Sequence, residues 1–372
     1  MTANELFAKC AEIAQNPRAQ MDKYLAQGKK VVLTAPYYAP EEIVDSMGAV
    51  PMGVWGADME LNDSKKFFPT FICSIVQGIV ELGINHVYDG ASAIIMPMLC
   101  DSLKGAGQNF KAAVPSIPFI PMTYPQNRFA DFGAKYCKAN YLTVISELEK
   151  ALATEFDEAK LAGSIKVFND HNQAMREFAE VAAMHPEVTA QQRSDVFKSA
   201  MFMTKAEHTA IVRQLIDAIK AQEPGKGRIP VYVSGILTDS PELNAIFDSC
   251  GLHIVMDDVA AQSRAYRTDA PVEGAPLDCL VKKFQNTGND SVLYDPLKKH
   301  VDLVPDQAKQ YGAKGVIFVL TKFCDPEEFD YPLIKKACDA AGIPSVQIEI
   351  DRQMVRYEQA RTILEAFIDV LS

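Results

Sequence analysis

Short apolar segments alternate with segments of helical periodicity along the whole chain. Residues 30–34 form one apolar run that leads to Pro40, and residues 230–234 form another that leads to Pro241. Proline in a first helical turn, followed by acidic residues, suits the free N–H groups and the positive end of a helix. The pattern therefore predicts the order strand, turn and helix twice.

The same order of signals continues downstream in both places. Residues 93–97 and residues 315–320 are apolar runs of the buried-strand type, and each ends near a Cys-Asp pair that begins at Cys100 or Cys324. Glycines follow the two proline-led helices, Gly48 in one case and Gly251 in the other, which predicts left-handed helix caps. Pro118 and Pro344 also precede similar apolar runs. The chain is therefore predicted to contain a duplicated architecture.

The predicted fold is α/β, with two similar, mostly parallel-sheet domains and helical segments between them. We assign residues 1–139 to an N-terminal α/β domain, 140–224 to a helical segment and 225–372 to a C-terminal α/β domain. Thr204 and Glu207 have capping-box spacing, which predicts a helix start. No glycine-rich loop typical of a dinucleotide or nucleoside triphosphate site is intact.

Composition excludes several classes of partner. Of 372 residues, 37 are Lys or Arg and 48 are Asp or Glu, giving a net charge of -11, so nucleic acid is not an expected partner. The first residues have no basic stretch leading into an apolar one, and no uninterrupted apolar run approaches the length needed to cross a bilayer. We expect a cytoplasmic protein without a membrane partner, in which the eight cysteines stay reduced.

Three cysteines lie where ligands bind in such folds. Cys100 and Cys324 follow predicted strands, and ligands of open α/β sheets bind beyond the carboxyl ends of strands. Cys73 lies at a predicted helix start, where the helix dipole favours thiolate. Three thiolates in one cleft would suit a [4Fe-4S] cluster. The CxxC spacing of many clusters is absent, however, and free cysteines are commonly buried packing residues, so the pattern alone favours packing.

Other polar residues are weaker candidates. Asp257 and Asp258 follow an apolar run and would serve as metal ligands or, as we favour, as caps of the next segment. The acidic residues at 325–328 would supply a general base or, again favoured, occupy a helix N-terminus. The remaining cysteines and the six histidines are interpreted as packing or surface residues: Cys10, Cys137, Cys250, Cys279, Cys338, His86, His171, His185, His208, His253 and His300.

Several segments together resemble the beta subunits of 2-hydroxyacyl-CoA dehydratases. They are residues 37–42, 51–56, 100–101, 257–258, 264–268, 323–328 and 358–361, so the resemblance spans nearly the whole chain. In that family three cysteines hold a [4Fe-4S] cluster, and the positions that carry the motifs here are Cys73, Cys100 and Cys324. The resemblance therefore implies that these three residues bind the cluster, in the cleft between the domains, and reverses the preference for packing.

The resemblance also implies a function and partners. The chain would pass an electron from an ATP-dependent iron–sulfur activator protein to a homologous alpha subunit, which binds most of the (R)-2-hydroxyacyl-CoA substrate. Water would leave through a ketyl radical to give a 2-enoyl-CoA, because the hydrogen β to the thioester is not acidic enough for ordinary acid–base catalysis. A flavin in the complex is left open, and no catalytic side chain is assigned. The alternatives are a subunit of an enzyme similar to benzoyl-CoA reductase and a non-enzymatic, two-lobed ligand-binding protein.

Overall fold

The computed structural model describes residues 1–354 and 356–371 and contains two four-stranded, fully parallel sheets. The strands of the N-terminal half are β1 (Val31–Thr34), β2 (Val50–Gly53), β3 (Ala93–Pro97) and β4 (Phe119–Met122). Those of the C-terminal half are β5 (Ile229–Gly235), β6 (Leu252–Val259), β7 (Gly315–Thr321) and β8 (Ser345–Ile350). The strand orders are β2-β1-β3-β4 and β6-β5-β7-β8. This shared order confirms the predicted α/β fold with two similar parallel sheets.

Helices of the N-terminal half surround its sheet. They are α1 (Ala3–Gln15), α2 (Pro17–Ala26), α3 (Glu41–Ser46), α4 (Ser74–Ile84) and α5 (Asp101–Ala113). Residues 93–97 are buried throughout, as expected for a central parallel strand covered on both faces. Pro40 is the N-cap of α3, one position earlier than predicted, whereas Gly48 has the expected left-handed φ of 78°.

Four helices connect the two sheets: α6 (Asp131–Leu152), α7 (Glu158–Met184), α8 (Ala190–Ser199) and α9 (Lys205–Lys220). The helical region therefore begins before residue 140. Thr204 caps α9 as predicted, because its hydroxyl accepts the Glu207 N–H. In a full capping box the Thr204 N–H would donate to the Glu207 side chain, but here it donates to Tyr24 instead. The hydroxyl of Tyr24 accepts the Thr204 N–H and donates to Glu207 at 2.6 Å. A residue from the N-terminal half thus completes the start of α9.

The C-terminal half contains α10 (Pro241–Ser249), α11 (Pro276–Asn286), α12 (His300–Gln310), α13 (Asp325–Ala340) and α14 (Glu358–Leu371). Pro241 occupies the first helical turn and Gly251 has a φ of 66°, both as predicted. Within the described residues, no helix is long and apolar enough to cross a membrane.

The carboxyl ends of the two sheets face a common cleft. Its walls include Ala35, just beyond β1, and Ala260 and Ala261, just beyond β6. The Gly53 N–H at the end of β2 donates to the Met201 carbonyl at 2.8 Å, which joins the N-terminal sheet to the segment after α8. In both sheets the strand order reverses beside the first strand, and ligands of open α/β sheets bind at such a point. The cleft is therefore where the topology places a site.

Candidate functional site

Each of the three predicted cysteines lies directly before a helix. Cys73 is the N-cap of α4, Cys100 of α5 and Cys324 of α13. No side chain in the described part of the chain caps any of these three helices. The free N–H groups of each first turn are therefore available to the cysteine beside them.

Backbone N–H groups of these turns lie near the three sulfurs and lower the pKa of the thiols. They are those of Val76 and Ile75 for Cys73, Leu103 and Ser102 for Cys100, and Glu327 for Cys324. Burial is the largest influence and raises the pKa of all three thiols, against the opposing effect of these N–H groups. Because N–H groups that face a sulfur stabilise negative charge on it, the local backbone favours thiolate.

The structure brings the three thiols to one place. Cys73 is 8% exposed and belongs to an apolar cluster against which Cys100 and Cys324 pack. Burial, with charge on Cys100 adding to it, raises the pKa of Cys73 to about 11. Burial and the charges of Glu327 and the two other thiolates raise the pKa of Cys324 well above its usual range. One cysteine of the C-terminal half therefore meets two of the N-terminal half.

The donor set fits an iron–sulfur cluster better than a single metal ion. No group of three or more His, Cys, Asp or Glu side chains in residues 1–354 and 356–371 is arranged to hold one ion. A [4Fe-4S] cube binds each thiolate at a different iron, so its ligands stand further apart than those of one ion. Coordination also deprotonates thiols that burial would otherwise keep protonated. The ligand role of the three cysteines remains a prediction that this arrangement supports.

Strained backbone lies beside the cysteines. Tyr37 and Tyr38, which follow β1, have φ values of 66° and 53°, and Phe323, directly before Cys324, has a φ of 62°. Residues other than glycine rarely adopt this region, and such strain concentrates at functional sites. The rings of Tyr37 and Trp55 pack at a centroid distance of 5.4 Å. They line a cavity of about 160 Å³ between the two halves, called the cleft cavity below.

A buried ionic network holds the helix that follows Cys324. Arg264 is 4% exposed and pairs with Asp258 at 3.0 Å, Glu327 at 2.9 Å and Asp290 at 3.5 Å. Asp258 belongs to β6, whereas Glu327 lies in the first turn of α13. One guanidinium group therefore connects the C-terminal sheet to the turn that presents Cys324.

His300 extends this network. It contacts Asp258 at 2.5 Å and Asp330 of α13 at 3.3 Å. Burial by itself would lower the pKa of His300, but the charge of Asp258 and the hydrogen bonds to both carboxylates raise it to about 9. The imidazole is therefore cationic at neutral pH and ties α12 to β6 and α13.

Arg352 fixes the start of the helix that follows Cys73. Its backbone N–H donates to the Ser74 hydroxyl at 2.9 Å, and Ser74 is the first residue of α4. Its guanidinium pairs with Asp58 at 2.9 Å and with Asp239 at 2.8 Å. The segment after β8 in the C-terminal half thus contacts the turn that carries a cysteine of the N-terminal half.

The other sequence candidates have different roles from those of site ligands. Asp257 and Asp258 lie within β6 and not beyond it, and their main partners are buried arginines: Asp257 pairs with Arg193 at 2.5 Å and Asp258 with Arg264 at 3.0 Å. The favoured capping role was therefore wrong for Asp258, whereas Asp257 also accepts the Ser263 N–H of the following turn at 3.1 Å. Glu327 lies in the first turn of α13, as the favoured interpretation has it, and it is also a member of the buried network. Four of the five remaining cysteines are buried and Cys250 is partly exposed, in agreement with packing.

Sequence analysis missed the network around Arg264 and His300, and the role of Arg352. The available signal was the pair Asp257 and Asp258 at the end of an apolar run, because carboxylates buried in a sheet need cationic partners. Nothing in the sequence identified which cations these would be.

Comparisons with known proteins identify the family of the chain. The family model for 2-hydroxyglutaryl-CoA dehydratase, D-component, matches residues 36–371. The chain is 43% identical over 375 residues to the (R)-phenyllactyl-CoA dehydratase beta subunit of Clostridium sporogenes, covering 99% of both proteins. It is 37% identical over 372 residues to the lactoyl-CoA dehydratase subunit beta of Anaerotignum propionicum, covering 98% of both.

A benzoyl-CoA reductase component from Thauera aromatica is more distant. It is 23% identical over 380 residues, and the match covers 99% of this chain and 98% of that protein. The full-length matches above 30% identity are to dehydratase subunits, which confirms the prediction of a dehydratase subunit and the resemblance to the beta subunits. The chain therefore belongs to the 2-hydroxyglutaryl-CoA dehydratase D-component family.

Proposed function

We propose that this chain is the beta subunit of an (R)-2-hydroxyacyl-CoA dehydratase and that Cys73, Cys100 and Cys324 bind a [4Fe-4S] cluster. The observation that carries the proposal is the meeting of three thiols, one buried and two partly buried, each at the N-terminus of a helix. When bound, such a cluster supplies one-electron transfer. In this proposal the electron comes from an ATP-dependent activator protein and is needed in the alpha subunit.

The residues around the thiols would perform two tasks. The apolar cluster that contains Cys73 excludes water from the sulfurs, since solvent exposure and hydrogen bonds to sulfur both affect cluster potentials. The first-turn N–H groups of α4, α5 and α13 lie near the sulfurs and offset negative charge there. The chain would thus bind the cluster, keep it dry and stabilise added charge.

The chemistry of 2-hydroxyacyl-CoA esters explains why an electron is needed. The hydrogen β to the thioester is not acidic in the closed-shell substrate, so a general base alone would be too weak. One added electron gives a ketyl radical anion, which expels the 2-hydroxyl group and makes that hydrogen acidic; the electron is then recovered. This requirement supports a subunit devoted to electron delivery, with the substrate bound mainly by the alpha subunit.

Two alternatives receive less support. A role in benzoyl-CoA reduction agrees only with the relative at 23% identity, whereas relatives at 43% and 37% are dehydratase beta subunits. A non-enzymatic binding protein is not favoured, because the named relatives are enzyme subunits. A flavin in the complex stays open, and no residue of this chain is assigned to it.

The proposal is tested by reconstitution without oxygen. The chain and its alpha subunit are mixed with reductant, activator and ATP, and offered (R)-phenyllactyl-CoA, (R)-lactoyl-CoA or benzoyl-CoA. We expect dehydration of a 2-hydroxyacyl ester only when both subunits, the activator and ATP are present. Turnover by this chain alone, sustained dehydration without ATP, or reaction with benzoyl-CoA alone would contradict the proposal.

A further inference from the structure

The hydroxyl group of Tyr37 lacks a partner. It is buried and makes no hydrogen bond to any residue that the structure describes. A buried hydroxyl without a hydrogen bond costs free energy and calls for an explanation, such as a bound group that the polypeptide does not provide. Tyr88 is a second buried tyrosine with the same property, and it lies outside the cleft cavity.

The position of Tyr37 distinguishes it from Tyr88. Both tyrosines contact the apolar cluster that contains Cys73, but Tyr37 lines the cleft cavity and Tyr88 does not. Charge on Cys324 acts on the Tyr37 hydroxyl, whereas Arg352 is the charged group that acts on Tyr88. The unpartnered Tyr37 hydroxyl is therefore close enough to Cys324 for their charges to interact, whereas no cysteine among the described residues has this effect on Tyr88.

Its surroundings hold the Tyr37 side chain in place. The backbone is in the left-handed region at both Tyr37 and Tyr38, a costly conformation that persists only where the structure fixes it. The Tyr38 hydroxyl donates to Asp290 at 2.5 Å, and the Trp55 ring packs against Tyr37. The hydroxyl of Tyr37 is thus presented to the cleft by a strained turn that is fixed on both sides.

Three cysteines bind three irons of a [4Fe-4S] cluster and leave one iron for a ligand from outside the protein. On the basis of the proposed function, we infer that the Tyr37 hydroxyl donates a hydrogen bond to a small, water-sized ligand on that fourth iron. Tyr37 remains a neutral donor, because burial and the nearby carboxylates of Asp290 and Glu327 raise its pKa well above its ordinary value. It would be a positioning residue for the ligand and would favour the reduced, more negative state.

The experiment compares the clusters of wild-type, Tyr37→Phe and Tyr88→Phe proteins, each in complex with the alpha subunit. Iron content is measured first, and the ratio of reduced to oxidised cluster at fixed potentials is then followed by electron paramagnetic resonance. We expect full iron in all three and a ratio roughly fivefold lower in Tyr37→Phe, the effect of one lost hydrogen bond. Tyr88→Phe, which removes an equally unpartnered hydroxyl, should match the wild type.

A second variant distinguishes loss of the hydrogen bond from misfolding. If Tyr37→Phe loads less iron, Tyr37→His, which keeps a ring donor, should restore loading and give a ratio between those of Tyr37→Phe and wild type. A ratio in fully loaded Tyr37→Phe equal to that of Tyr88→Phe would overturn this inference and leave the proposed function intact. A wild-type chain without iron would instead overturn the proposed function, and this inference with it.

Discussion

In the N-terminal half, Cys100 follows β3, and the residue three positions later is Leu103, which is 2% exposed and packs in the apolar cluster. In the C-terminal half, Cys324 follows β7, and the equivalent residue is Glu327, which is 4% exposed and pairs with Arg264. The two sheets share one strand order. One cysteine is therefore held by apolar packing and the other by buried charges.

This difference shows that a duplicated fold can keep the place of a ligand while changing how the ligand is held. Buried ion pairs are a poor source of stability, because desolvation offsets most of their attraction. We infer that the network around Arg264 serves geometry, since its three carboxylate partners come from β6, the 290 region and α13. Apolar packing of Leu103 places no comparable directional constraint on α5.

The largest effect is expected from Arg264→Ala, which breaks the C-terminal network. It leaves Glu327 and Asp290 buried without their guanidinium partner and should lower the free energy of unfolding by about 3–5 kcal/mol. Denaturant unfolding measures the change. Arg176→Ala is the matched control, because Arg176 forms a half-exposed pair with Asp269, and its loss should cost about 1 kcal/mol or less. An equal loss of unfolding free energy in the two variants would contradict the view that buried charges hold the C-terminal cysteine.

A smaller effect concerns pH. The folded-state pKa of His300, about 9, exceeds its ordinary 6.5, so its contribution to stability is complete below pH 6.5 and is lost as the pH rises through 9. The free energy of unfolding should fall across this window by up to about 3 kcal/mol. In His300→Gln the free energy of unfolding should not show this fall between pH 6.5 and 9. Denaturant unfolding at several pH values measures it, and parallel curves for the two proteins would contradict the assignment.

The smallest effect is expected in the N-terminal half at Asp101, the residue after Cys100. Its side chain is 91% exposed and pairs with Lys104 at 2.8 Å. Asp101→Asn should change the free energy of unfolding by less than about 1 kcal/mol, because exposed pairs and helix-end charges contribute little. A loss as large as that of Arg264→Ala would show that charge also holds the helix after Cys100.

Much of the fold could be predicted because its signals are local. Two similar sheets could be predicted from the repeated apolar runs and from the helix-capping glycines Gly48 and Gly251. The rule that ligands bind at strand ends also suggested that Cys100 and Cys324 would meet. The partners of individual polar side chains could not be predicted, because they lie far apart in the sequence. Asp258 and His300 are 42 residues apart, and the Tyr24 hydroxyl binds the N–H of Thr204, 180 residues away. Such contacts depend on how the elements pack.

The central claim is that three cysteines from the two halves bind one cluster, and iron content tests it most directly. The chain is purified without oxygen as wild type and as Cys73→Ser, Cys100→Ser, Cys324→Ser and Cys338→Ser. The last is a matched control, because Cys338 is fully buried in α13, the helix that follows Cys324. We expect about four irons per chain in the wild type and in Cys338→Ser, and loss of iron in each of the other three. Full iron in all of the first three variants, or equal loss in Cys338→Ser, would contradict the account.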